Sequence, residues 1–518
     1  MSKHATRAGV VWVLLIAGFW LIYGLTPRHN YSYDGLCYAC DVELAPVSNL
    51  FHPNHLLYTA VSSEAWHLFR WFGYPGRALF FMQNLNAFVG ALAVALLGWL
   101  VSRRYGAVLG LVAGGCWGAS YALWSEVTDP GCYAWAALAA VLLLGLLLES
   151  DQADAFWVGA GHGVLVLFHQ MLILLAPAFA VQLVMRRARP WRALLAYSMG
   201  LLLTVGLPYG LIATVFHGSS WREAIYWALG PGGPPPGVAI LSRFWWSLDW
   251  VPNVVNAWKG LVGSLLWYEF SKTSFAVGSI VLAIGIGAWT GWVVRKRRWA
   301  RRKELWSLLI WVIVLNVFLF FFYTGTIRYR ILLWPVLLYL AAMALAETHR
   351  PFVYGTLGFL GVLGMLVFNG WRGLRPLRQV PPGLAYVEWV AREVRETDFL
   401  LFAGTGDSSV QNVYMAYFAP RVPARSVQGY FFSHPGGDIT FLDRRVRLSV
   451  LQGGRFWVES SLLDPAFQRV LETGALRPVP PGTLARWFRA YRVEEERTGP
   501  AGYRLARLRP LKKVFQAR

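Results

Sequence analysis

The sequence predicts a polytopic α-helical membrane protein with about 11 transmembrane helices (range 10–13), outer interfacial helices and a small C-terminal α/β extracytoplasmic domain. Three observations predict it. Of the 518 residues 56% are hydrophobic and only 14% charged, a balance foreign to soluble domains. Apolar runs of roughly 18 residues or more, enough to cross a hydrocarbon core, recur through the first 370 residues. From Trp371 onward the composition turns charged and Pro/Gly-punctuated over a length that suits one modest globular domain. The division is therefore 1–370 and 371–518.

The formal charge of +21 splits between the parts. The tail holds 23 Lys+Arg against 13 Asp+Glu, and the membrane part 25 against 14, largely in short clusters between spans. Clusters of that kind orient a chain in a bilayer and are no nucleic-acid footprint. Four cysteines (Cys37, Cys40, Cys116, Cys132) make no disulfide framework, and a single Cys37-x-x-Cys40 does not complete a zinc site.

Taken in order, Lys3 and Arg7 precede a first span over 9–25 and set the N-terminus in the cytoplasm. No small-x-small cleavage site follows, so this span reads as an uncleaved anchor. An acidic outer loop follows and continues to Pro75 through SSEAWHLFRWFGY, whose aromatic residues suit a helix lying in the interface. Span two (78–101) returns to Arg103-Arg104, span three (106–123) leads out to WSEVTDPG, and span four (131–148) comes back. Phe156 to Met185 is read as a hairpin of two short spans turning near His169-Gln170, which keeps Arg186, Arg187, Arg189 and Arg192 inside. Span seven covers 193–216. Next comes a long outer segment with GPGGPPPG between Trp-rich pieces, WREAIYWAL and RFWWSLDWVPNVVNAW. Span eight (275–294) ends at RKRRWARRK, and spans nine (305–323), ten (331–346) and eleven (352–370) complete the set. An odd number of spans places the tail on the same side as the acidic loop.

In the tail, Leu384–Thr397, Ser408–Phe418 and Pro465–Glu472 have helical spacing, and Phe399–Ala403 and Phe456–Glu459 read as strands. Tyr491–Arg497 and Tyr503–Leu508 form a hairpin-like pair. GTGDSS at 404–409 stands between a strand and a helix, where phosphate loops occur, but a tight turn explains it as well.

The candidate chemistry gathers on the expected outer face. Asp34, Asp41, Glu43, His52 and His55 lie in the loop NYSYDGLCYACDVELAPVSNLFHPNHLLY, Glu126 and Asp129 in the second loop, His169 at the hairpin tip, and Arg328 and Arg330 before span ten. Carboxylates facing arginines at a membrane surface suit transfer of a sugar from a polyprenyl-phosphate donor. A carboxylate base takes the proton of an acceptor hydroxyl, and cations or a metal steady the departing phosphate. Structural readings exist beside this one. Glu126 and Asp129 also suit the N-terminus of span four, Arg328 and Arg330 also suit snorkelling to headgroups, and His52 before Pro53 suits a turn.

The acidic first loop, HP-x-x-LLY, the acidic loop after Trp124-Ser125 and Arg328-Tyr329 before a Pro-containing span together resemble the GT-C superfamily of membrane glycosyltransferases. The likeness is strongest to bacterial families related to protein O-mannosyltransferases and lipid-A aminoarabinose transferases, and covers roughly 10–185 plus 320–340. The resemblance implies Asp34 as catalytic base, and Glu126 and Asp129, with Asp41 and Glu43, as acceptor- or metal-assisting acids. It implies Arg328 and Arg330 as ligands of the donor phosphate, and His52, His55 and His169 as further pocket residues. It leaves a divalent metal (Mg or Mn) open, and implies a polyprenyl-phosphate-linked donor, a glycan, lipid or protein acceptor, the lipid bilayer as surroundings, and no nucleic acid. The plasma (inner) membrane of a bacterium is the expected home. A lipid-linked glycan ligase or polymerase would share the architecture. A transporter or flippase of a polyprenyl-linked substrate would instead show internal repeats and mid-membrane charges.

Overall fold

The computed structural model describes residues 3–150, 153–217, 227–228, 249–267, 303–322, 325–347, 351–404, 408–433, 438–473 and 479–511. Span eight, the GPGGPPPG run, nearly all of WREAIYWAL and RKRRWARRK, and the middle of GTGDSS lie outside the described residues. The chain forms two compact units: 1–28 with 41–378, and 29–40 with 379–518.

In the first unit, α1 (Lys3–Gly24) is followed by α2 (Tyr33–Leu44), whose early turns group with the second unit. Then come α3 (Tyr58–Trp71), α4 (Ala78–Tyr105), α5 (Ala107–Gly118), α6 (Tyr121–Val127) and α7 (Tyr133–Glu149). After these run α8 (Ala155–Val166), α9 (Ala176–Arg186), α10 (Pro190–His217), α11 (Trp250–Leu265), α12 (Lys303–Phe321), α13 (Trp334–Leu345) and α14 (Pro351–Phe368). Among the described residues four helices are long and apolar enough to cross a membrane: α4, α10, α12 and the run beginning at Val353. A fifth is added if the bent pair α5–α6 is one span. The remaining apolar helices are shorter, so the expected number near eleven is not reached on length and composition.

The expected span three departs from its prediction in a way that matters for the site. The chain bends by 64° between α5 and α6. Ser120 precedes α6 with extended backbone, and the carbonyl of Ala119, exposed by the break, accepts from the Asn369 amide at 2.8 Å. WSEVTDPG is consequently not a wet outer loop: residues 122–134 are all buried. In apolar surroundings a broken helix is stable only when neighbours satisfy the freed carbonyls, and Asn369 also accepts from Trp267 N–H and donates to Leu265.

The hairpin over 155–186 is present. A 3₁₀ turn at Gln170–Leu175 separates α8 from α9, and Arg187 at its far end donates to the carbonyls of Ser150 (2.5 Å) and Ala153 near its start. Helix α10 then packs along α8 at backbone distance: a Cβ on Gly159 would lie 1.9 Å from the Tyr197 carbonyl, and one on Gly200 2.1 Å from that of Phe156. Small residues permit this approach, and dispersion rather than hydrophobicity holds helices together in lipid.

One end of the bundle collects basic clusters. Arg104 and Arg186 both reach Glu304 (2.8 and 3.2 Å), and Arg103 lies 3.6 Å from Glu149. Gln83 and Asn86 stand near the other end of α4.

The second unit holds α15 (Pro382–Glu393), β1 (Phe399–Phe402), α16 (Ser408–Phe418), β2 (Ala424–Ser426), α17 (Val427–Ser433) and α18 (Thr440–Leu451). It closes with β3 (Phe456–Glu459), α19 (Pro465–Thr473), α20 (Thr483–Phe488), β4 (Tyr491–Thr498) and β5 (Arg504–Pro510). The sheet order is β2-β1-β3-β5-β4, with β1 parallel to β2 and β3, and β5 antiparallel to β3 and β4. Apolar alternation drives the layers together: Phe399, Leu401, Phe456 and Val458 pack with Leu442, Val446 and Trp487. Buried Asp398 pins the strand starts, accepting from the backbone N–H of Arg395 and Arg455 and from the Trp457 indole. Segment 29–40 belongs to this unit. Tyr31 stacks on Phe418 at 6.1 Å and meets Tyr414 at 6.4 Å, while the Ser32 hydroxyl accepts from Gly35 N–H and caps α2.

Candidate active site

The site in the first unit is built on the turn that joins α6 to α7. Every carbonyl from Thr128 to Gly131 is satisfied by a side chain placed for it. Gln83 donates to Thr128 and to Arg28 (both 2.8 Å), Asn86 donates to Asp129 and Gly131 (2.8 and 2.7 Å), and the Tyr58 hydroxyl donates to Pro130 (2.8 Å). Gln83 and Asn86 are three apart on α4, hence on one face. The Trp135 indole donates to Asn86 Oδ1 at 3.2 Å and fixes the amide's orientation. Buried carbonyls left unpaired would each cost about 1–3 kcal/mol, so this lattice holds the turn in one conformation.

The turn presents two buried carboxylates, and each faces an arginine. Asp129 is 0% exposed and lies 3.5 Å from Arg28 Nε. Glu126 is 4% exposed and its Oε1 lies 3.9 Å from Arg328 Nε. A carboxylate this far out of water stays ionised only beside a cation. Arg328 also lies over the Tyr133 ring, 5.4 Å from its centroid, and Tyr133, His169 and Tyr329 form a ring cluster with centroids 5.4–6.2 Å apart. Arg330 turns inward instead: it is buried and donates to Asn316 at 3.0 Å.

The HPNH segment joins this end from another direction. His52 Nε2 lies 2.9 Å from Asp41 Oδ2, and the His52 and His55 rings are 5.3 Å apart. Gln170 N–H donates to the Asn54 carbonyl and Leu57 N–H to that of Leu167, which ties the segment to the hairpin tip carrying His169. Burial, with His169 and His52 close by, holds His55 well below the ordinary imidazole range, so its ring is neutral at pH 7. Glu43 is placed otherwise: it accepts from Arg77 Nε (2.9 Å) and from Ala78 N–H (3.0 Å), at the N-terminus of α4. Asp34 lies in the first turn of α2, among the residues that group with the second unit.

Whole-chain comparison places this arrangement. The crystal structure of ArnT from Cupriavidus metallidurans bound to undecaprenyl phosphate matches with a TM-score of 0.56 at 15% identity, over 97% of this chain and 98% of that one. Its apo state matches with a TM-score of 0.56 at 14% identity, over 98% of both chains. The chain thus shares its overall fold with the ArnT structures. The Archaeoglobus fulgidus oligosaccharyltransferase in complex with Zn and sulfate matches at a TM-score of 0.50 and 12% identity, over 94% of this chain and 72% of that one. No protein-family model and no curated sequence matches the chain.

The structure brings together Glu126 with Arg328, His169 with Tyr329, and Asp41 with His52 and His55. Among the described residues no three His, Cys, Asp or Glu side chains converge as a metal site requires. Glu126 and Asp129 each face an arginine. Sequence reading missed Arg28, Gln83, Asn86 and Tyr133. Arg28 carried the one usable signal, a cation directly after the first span and ahead of the acidic loop.

Proposed function

We propose that the chain is an inverting glycosyltransferase that moves a sugar from a polyprenyl-phosphate donor to an acceptor hydroxyl at the outer face of a plasma membrane. The N-terminus is then cytoplasmic and the C-terminal unit extracytoplasmic. The observation that carries this reading is the pair of buried carboxylates held against Arg328 and Arg28 on a fixed turn. A site that must meet charge on a leaving phosphate needs cations whose positions do not depend on the ligand. Glu126 lies beside Arg328 on its Nε side, and a guanidinium is the planar cation that matches phosphate oxygens in bidentate fashion.

In the reaction, the Asp34 carboxylate takes the proton of the acceptor hydroxyl. The freed oxygen attacks the anomeric carbon on the side opposite the phosphate. The bond from that carbon to the phosphate oxygen breaks, and the polyprenyl phosphate leaves with the electron pair, its added charge met by Arg328. Arg28, paired with Asp129, stands beside the same turn. The undecaprenyl phosphate in the matched ArnT structure supports a lipid-phosphate carrier of this kind.

The test is transfer by purified protein from a panel of polyprenyl-phosphate and polyprenyl-pyrophosphate sugars, comparing wild type with Asp34→Asn. Inverted product from a monophosphate donor, lost in the variant, is the expected result. A full-rate variant overturns the assignment of the base, and transfer of whole glycans alone moves the protein to the ligase reading.

A further inference from the structure

The second unit contains a crevice of about 850 Å³ that the transfer chemistry does not use. It follows the edge strand β2 and is bounded by β1, α16, α17 and α18. Its size is that of sites that enclose a small ligand.

The lining is specific in composition. Among the described residues two arginines, Arg425 and Arg445, belong to it, and no acidic residue does. Both are exposed, and among the described residues neither makes an ion pair. The Tyr430 and Phe441 rings stack at 6.1 Å and 15°, and Arg445 lies over the far ring, 5.3 Å from the Phe441 centroid. One wall thus carries the partly exposed Phe441 ring, backed by buried Tyr430 and joined by the Arg445 guanidinium. Asn412 and Ser426 supply amide and hydroxyl groups on other parts of the lining.

We propose that this crevice binds an acidic saccharide. Sugar rings lay their C–H faces on aromatic planes, amides and hydroxyls exchange hydrogen bonds with ring hydroxyls, and a planar guanidinium grips a carboxylate or phosphate in bidentate fashion. A peptide adding a strand to β2 fits less well. The strand has three residues, and Pro423, just before it, removes a backbone donor from that edge. An extended lipid chain fits less well again, because two exposed cations share the lining. The site stands on its own residues; that its saccharide is the acceptor rests on the transferase reading.

The experiment uses full-length protein in detergent micelles with no donor present. Titration calorimetry compares tetragalacturonate and mannose 6-phosphate with neutral maltotetraose and with tetraglutamate. At least one acidic sugar is expected to bind, with Arg425→Gln and Arg445→Gln each weakening it tenfold or more and neutral maltotetraose at least tenfold weaker in wild type. Phe441→Ala is expected to weaken it comparably, with unchanged intrinsic fluorescence as the check on folding. Equal binding of maltotetraose, equal or tighter binding of tetraglutamate, unchanged affinity in the double arginine variant, or no binding of either acidic sugar overturns the proposal. Asp34→Asn is expected to bind the acidic sugar as wild type does while losing transfer, whereas full-rate transfer by the double arginine variant, once its binding is lost, refutes only the acceptor role.

Discussion

The Arg28–Asp129 pair gives the sharpest test of the site's construction. Two unit charges 3.5 Å apart attract by about 5 kcal/mol at an effective dielectric constant of about 20. Desolvation of both groups offsets much of this in the intact protein. Removing only the cation, as in Arg28→Gln, leaves Asp129 charged and wholly buried, a situation that costs about 3–5 kcal/mol. Asp129→Asn removes the other charge and leaves Arg28, which is less deeply buried and better able to reach water. The double variant places two neutral amides side by side and is expected to recover about 2–3 kcal/mol of the summed losses. Unfolding in mixed micelles with rising SDS, followed by the fluorescence of the 27 tryptophans, gives the four corners of the cycle. Losses that add within about 0.5 kcal/mol would show that the two charges do not interact, and that Asp129 does not hold Arg28 in place.

Other outcomes follow from the same geometry. Asp34→Asn should lower the transfer rate by about 10²–10⁴-fold while leaving the unfolding transition in place. Arg328→Gln should weaken the donor more than it weakens the acceptor, and Arg328→Lys should recover only part, since a point charge cannot reproduce the planar fork; kinetics with each substrate varied in turn decide this. For His55, the folded protein binds the proton less readily than the unfolded chain, so stability is complete above the ordinary value of 6.5 and falls as pH drops through it. An acid shift of the unfolding midpoint that is smaller in His55→Gln than in wild type would bear this out; His169, likewise held low by burial, contributes to what remains. Gly404→Ala, at φ +73° with its Cβ 1.9 Å from Ser426 Oγ, should destabilise the second unit by about 1–3 kcal/mol, read as faster amide exchange in β1.

Several elements were legible in the sequence because their signals are local. Ser408–Phe418 and Phe456–Glu459 are observed with the expected bounds, and α4 begins at the expected residue. The antiparallel pairing of β4 with β5 also follows from the expected hairpin-like strands. The break between α5 and α6 was not legible: residues 107–123 are mostly apolar on both sides of it, and hydropathy carries no information about a bend. Nor was β2, three residues with an arginine at the centre, or α18, whose DRRVR reads as a charged loop until Leu442 and Val446 meet the sheet. At the site, the acids could be picked out because charge is rare in apolar sequence. Their partners could not. Arg28 meets Asp129, and Gln83 meets Thr128, only once α1, α4 and the turn are packed side by side.

The assignment of segment 29–40 to the second unit has a practical consequence. The backbone passes between the units at three places, after residues 28, 40 and 378, rather than once. Removing everything beyond 378 would strip Tyr31 of Tyr414 and Phe418 and leave the stretch bearing Asp34 without its packing partners. The tail is therefore no detachable accessory, and a shortened helical core is the wrong starting point for reconstituting activity.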